Sequence, residues 1–154
     1  MPKIISPERI SGVLDKILMQ HKELSRFKAD RAIKKSIIKV WGNIIKLTPV
    51  GNPTLWKGPA PKGYVGGRAR GNWFVDTDVT NKKGRAIKNK GANYVATNLP
   101  RQIIGTTLFL YNNLPYINRL EFGSHSQQAP RGMVRVSLLG WRKELKKNFK
   151  AEYK

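Results

Sequence analysis

Residues 48–73 read TPVGNPTLWKGPAPKGYVGGRARGNW and hold four prolines and six glycines. Proline fixes φ and lacks an N–H, and glycine adds backbone entropy, so neither a helix nor a regular strand runs through such a stretch. It also carries Trp56, Tyr64 and Trp73 and has no acid. Disordered linkers are poor in aromatic residues. A long irregular loop that keeps them inside a compact domain is usually functional. The stretch therefore reads as an interaction loop over about 49–71, between a helical N-terminal part and a mixed C-terminal part.

The N-terminal part opens on a helix start at Ser6-Pro7-Glu8. Ser6 suits the cap, Pro7 the first helical position and Glu8 the positive end of the helix dipole. Apolar residues follow at helical spacing: Ile10, Val13, Leu14, Ile17, Leu18, Leu24 and Phe27. A second stripe runs through Ile33, Ile37, Val40, Trp41, Ile44 and Leu47. The two are out of phase, since continuing the first reaches Lys28 and Arg31. Either two helices meet near 28–31, with Asp30 as the cap of the second, or one long helix shows different faces to different neighbours. Thr48-Pro49 ends the helical run, because a residue before proline avoids helical geometry.

Beyond the loop, Trp73, Val75, Thr77 and Val79 alternate with Phe74, Asp76 and Asp78, which predicts a strand with one wet face. A basic turn and a strand at 93–97 follow. Residues 106–112 form the best strand by β-branched and aromatic content. Asn113-Leu114-Pro115-Tyr116 turns the chain into a short helix over 115–122, closed by Gly123. A last helix is expected from Met133 to about Tyr153, with a stripe of Val134, Leu138, Trp141, Leu145 and Phe149. The expected fold is a single α+β domain over 1–154: a long N-terminal helix or helix pair, an antiparallel β-sheet and a C-terminal helix.

Thirty Lys and Arg stand against nine Asp and Glu, a formal net charge of +21. A polyanionic partner is implied: nucleic acid, an anionic membrane or an acidic protein face. The bases are spread along the chain. One cluster stands out, Lys82, Lys83, Arg85, Lys88 and Lys90, expected on a protruding hairpin tip that contacts a polyanion or acidic partner, or solvent alone. There is no cysteine, which removes disulfides and thiolate metal sites. No apolar run reaches the roughly 20 residues of a membrane span, and the N-terminus lacks a signal-peptide core. The expectation is a protein made in a cytoplasm with no membrane partner.

Enzyme readings find little footing. His21 falls on the first helical stripe, and His125 has no acid beside it in its loop. Asp76 and Asp78 share a strand face, and with Glu121 they would make a minimal oxygen-ligand set, short of what a hard cation wants. Residues 58–63 have the glycine spacing of a phosphate loop but Tyr64 where lysine belongs. No catalytic residue, metal or cofactor is expected. Nucleic-acid binding is the stronger alternative. Tyr64, Gly66, Gly67, Arg68, Arg70 and Trp73 combine backbone access, guanidinium groups and stacking faces, although no recognised DNA or RNA motif is present.

Four motifs taken together resemble the tail-completion, or neck, proteins of tailed bacteriophages. Thr48-Pro49-Val50 ends the long helix. Gly67, Arg68, Arg70 and Trp73 match a Gly-Arg-x-Arg-x-x-Trp. Asn112, Pro115, Tyr116, Leu120, Glu121 and Gly123 match an Asn-x-x-Pro-Tyr-x-x-x-Leu-Glu-x-Gly. Gln128, Ala129, Pro130, Gly132 and Met133 match a Gln-Ala-Pro-x-Gly-Met. The long insert with Trp56 and Tyr64 departs from relatives in which a short Asp-Thr joins the first two motifs.

The resemblance implies a non-enzymatic virion protein in a homo-oligomeric ring at the head–tail joint. Its partners would be a portal, adaptor or head-closure protein on one side and a tail tube or terminator protein on the other. Passing genomic DNA would be a nonspecific contact. Assembly would take place in the bacterial host cytoplasm. Trp56, Tyr64, Arg68, Arg70, Trp73, Tyr116 and Glu121 are the expected subunit or partner contacts. Glu121 is also expected to pair with an arginine such as Arg68 or Arg119. Most bases are expected to face away from the lumen, because a channel that DNA slides through should not grip phosphates.

Overall fold

The computed structural model describes residues 7–77, 99–124 and 126–154, with side chains from residue 15 onward. Ser6, Asp78, Val79, the five bases of the 82–90 cluster, the strand expected at 93–97 and His125 lie outside the described residues.

The two out-of-phase stripes belong to one helix, α1, which runs unbroken from Pro7 to Leu47. Its two halves have different surroundings. From Ala32 on, Ala32, Ile37, Val40, Ile44 and Ile45 are buried. In the first half Ile17, Leu18, Leu24 and Phe27 are 46, 65, 51 and 59% exposed. Asp30 caps nothing, because the helix passes straight through it. Its carboxylate instead accepts the N–H groups of Ile103 and Ile104 at 2.5 and 3.1 Å and pairs with Lys34 at 3.0 Å. Burial alone would raise its pKa, but those donors and Lys34 outweigh burial and hold it below the usual carboxylate value.

After α1 the loop makes a single 3₁₀ turn at Pro53–Leu55, with the Asn52 side chain accepting from the Thr54 N–H. A four-residue helix, α2, follows at Arg68–Gly71. Strand β1, Phe74–Asp76, pairs antiparallel with β2, Phe109–Tyr111, placing Val75 opposite Leu110 and Phe74 opposite Tyr111. Both strands are shorter than the sequence pattern suggests. The expected wet face is only partly wet, since Phe74 is 3% exposed and its ring sits 5.7 Å from that of Tyr111. The cross-strand aromatic pair replaces solvent there.

Helix α3 covers Ile117–Phe122, and Gly123 closes it with an N–H to the Arg119 carbonyl. The single C-terminal helix expected from Met133 is two: α4, Val134–Leu138, and α5, Trp141–Glu152. The join falls at Leu139-Gly140. Glycine is a poor helix former by roughly 1 kcal/mol against alanine, and Leu139 is 86% exposed and offers no packing to hold the turn.

Helix α5 lies antiparallel along the second half of α1. The Tyr153 hydroxyl donates to the Ser25 carbonyl at 2.8 Å, and Asn148 donates to Ser36 Oγ at 2.9 Å. Glu152 takes Lys35 at 2.5 Å and Arg31 at 3.5 Å. Val40, Ile44, Ile45, Trp73, Val75 and Met133 form the central core, where α1, the β-ribbon and the start of α4 meet.

Candidate interaction site

The end of α1 leaves carbonyls with no intrahelical partner, and the loop returns to satisfy them. The Arg70 guanidinium, carried by α2, donates to the Thr48 carbonyl at 3.1 and 3.0 Å and to the Lys46 carbonyl at 3.0 Å. A cation at a helix C-terminus is also favoured by the dipole. The Thr48 hydroxyl donates to the Ile44 carbonyl at 2.7 Å and accepts Trp73 Nε1–H at 2.8 Å. Next along, the Gln128 side chain pairs with Val50 like a strand residue, accepting its N–H at 3.0 Å and donating to its carbonyl at 3.1 Å. Asn112 Nδ2 donates to the Ala69 carbonyl of α2 at 2.8 Å, and its Oδ1 accepts the Leu114 N–H at 3.2 Å.

Glu121 is the buried anchor of the opposite side, at 6% exposure. Its Oε2 accepts the N–H groups of Met133 and Val134 at 2.8 and 2.9 Å, and its Oε1 accepts that of Arg135 at 3.0 Å. Its ion pair is with Arg135, at 3.3 Å, not with Arg68 or Arg119. Arg135 also donates to the Glu121 carbonyl at 2.6 Å and lies 4.9 Å from the Phe122 ring. Burial would raise the Glu121 pKa, yet the three N–H donors and Arg135 bring it below the usual value.

Gly132 makes this approach possible. Its φ is +82°, and a Cβ there would stand 2.5 Å from the Glu121 carbonyl oxygen. Gly132→Ala is therefore expected to cost on the order of 2–3 kcal/mol through strain and displacement of Glu121, read as a lowered denaturation midpoint with unchanged m-value.

The seven residues expected at an interface thus divide. Trp73 is a core residue at 7% exposure, so the expectation of an interface side chain is corrected for it. Arg70 and Glu121 spend their polar atoms inside the chain. The other four gather on one surface. The Trp56 and Tyr64 rings meet edge to face at 4.8 Å, over Gly51. Trp56 is 40% exposed and Tyr116 36%. Burial raises the Tyr116 pKa, with the charge of Arg68 opposing the shift and Tyr64 adding to it. The loop folds on itself through this aromatic pair and keeps one side of it open.

Asp78, one of the three candidate oxygen ligands, lies outside the described residues. Glu121 is committed to the α4 N–H groups, and no group of three or more His, Asp or Glu able to hold a metal occurs among the described residues. No described helix is long and apolar enough to cross a membrane. Sequence reasoning missed Asp30, Ser36 and Arg135. Ser36 is fully buried and ties α5 to α1 through Asn148. A polar residue in the middle of an apolar helical stripe was the available signal for Ser36; Asp30 stood out only as a candidate helix cap, and Arg135 carried no signal. Comparison with known protein families, curated proteins and solved structures finds no match.

Proposed function

We propose that this chain is a structural virion protein of a tailed bacteriophage, a subunit of the neck or connector ring that joins head to tail. The observation that carries the reading is the meeting of the four motifs. Thr48 and Val50 are held by Arg70, Trp73 and Gln128, and Asn112 is bonded to α2, while Glu121 holds the residues after Gly132. Segments up to 78 positions apart thus meet in one hydrogen-bonded framework, which is what a shared family core would require. The Trp56–Tyr64–Arg68–Tyr116 surface beside it has the aromatic and arginine composition of protein–protein contacts.

The test is sedimentation of the purified chain, alone and with a purified portal or adaptor ring, without nucleic acid. Oligomerisation or co-sedimentation supports the reading. A protein that stays monomeric, ignores the connector and binds short duplex DNA tightly at physiological salt is instead a nucleic-acid-binding protein.

Within this reading Trp56 is the anchor of the loop. Trp56→Ala should weaken assembly by on the order of 2 kcal/mol, about thirty-fold. The monomer's melting temperature should hardly move, because Trp56 packs on Tyr64 and not on the core. Loss of the monomer fold without a separate assembly defect would put the loop in its own core.

A further inference from the structure

The first half of α1 carries an apolar face that no described residue covers, and the body carries an apolar groove that none fills. Ile17, Leu24 and Phe27 lie on one side of the helix and are 46, 51 and 59% exposed. The groove, of about 330 Å³, is lined chiefly by Ile37, Val40, Trp41, Ile103, Leu138 and Trp141. The geometry points to a head-to-tail contact between copies of this chain: the N-terminal half of α1 from one copy seats in the groove of the next. The inference rests on the ring reading above and names the surfaces that would make the ring.

Three observations favour this occupant. First, the arm cannot reach its own groove. The helix is unbroken, and Leu24 and Val40 are sixteen residues apart, about 24 Å along the axis. Leu24 and Ile37 also face about 140° apart at 3.6 residues per turn. The phase break between the stripes is what a helix needs if one face serves its own body and the other a neighbour.

Second, charge decides which segment can approach another copy. Residues 1–27 hold five bases and three acids, whereas residues 28–154 hold twenty-five and six. The arm is the part of the chain that meets a basic body with least repulsion. Third, ridge and groove are different surfaces. Pairing two arms would leave both grooves empty, whereas arm-in-groove pairing covers both surfaces and repeats, as a ring requires.

The experiment uses two variants of the full chain, Leu24→Asp with Phe27→Asp in the arm and Leu138→Asp in the groove. All three positions are at least half exposed, and circular dichroism checks the fold. Sedimentation velocity across a concentration series should show oligomers for the wild type and monomers for each variant alone. Mixing the two variants should restore one contact, the intact arm of one in the intact groove of the other, and give one-to-one heterodimers. Should Leu138→Asp fail to fold, Leu138→Ser takes its place. A wild type that stays monomeric alone overturns the inference, even where it joins a purified connector and the neck reading survives. So do oligomers that lose only to the arm variant, or variants that do not complement each other, since the arms then pair with each other or another surface holds the ring.

Discussion

Glu121→Ala should be among the most damaging single substitutions in the protein, costing about 3–5 kcal/mol. Four donors converge on this carboxylate: three backbone N–H groups and the Arg135 guanidinium. Truncation leaves the buried Met133 N–H and the part-buried Val134 and Arg135 N–H groups without their acceptor, at roughly 1–3 kcal/mol for each donor left unsatisfied, while the exposed Arg135 side chain adds little. Denaturant unfolding of the variant checks the figure, and a loss below about 1 kcal/mol would mean that water replaces the carboxylate freely.

The same group sets an acid limit. Its pKa in the folded chain is below the ordinary value, so the folded state binds fewer protons there than the unfolded state. The stabilisation is fully present above the unfolded value of about 4.3. It is lost as pH falls through the folded pKa. Asp30 works in the same direction. Glu121→Gln should flatten the acid limb of the stability curve relative to wild type, and an unchanged limb would assign it to other carboxylates.

Trp73→Ala should cost about 3–5 kcal/mol, the range for emptying a large buried aromatic site. The ring sits between Val40, Ile44 and Val75 in the core, and its N–H ends on the Thr48 hydroxyl. Trp73→Phe separates the two contributions. It keeps most of the volume and removes the hydrogen bond, which should cost on the order of 1 kcal/mol. Equal losses for both variants would show that the bond to Thr48, and not the packing, holds the end of α1. The contrast with Trp56→Ala, expected to spare the monomer, tests whether the two tryptophans of one loop have separate tasks.

Much of the fold was legible in local patterns. Thr48-Pro49 marks the end of α1, and the two stripes state that its halves present different apolar faces. The alternation at 73–77 and the β-branched run at 106–112 mark the pair of strands, and Gly123 marks the end of α3. These features are legible because each depends on residues a few positions apart: a cap, a proline clash, a 3.6- or 2-residue period.

Partners in space are a different matter. Glu121 had arginines nearer in sequence than Arg135, and Asp30 had the form of a helix cap, yet both carboxylates meet backbone N–H groups of segments brought in by the fold. Trp56 and Trp73 stand in the same loop with the same chemistry. The alternation at 73–79 puts Trp73 on an apolar face, and the return of α2 to the end of α1 seats it in the core while Trp56 stays exposed. Periodicity states which side of an element is apolar, and composition states how much charge must be solvated or paired. Neither contains the distance between segments seventy residues apart. Hydrogen bonds and desolvation act over a few ångströms, so the identity of each buried partner was decided by tertiary packing alone.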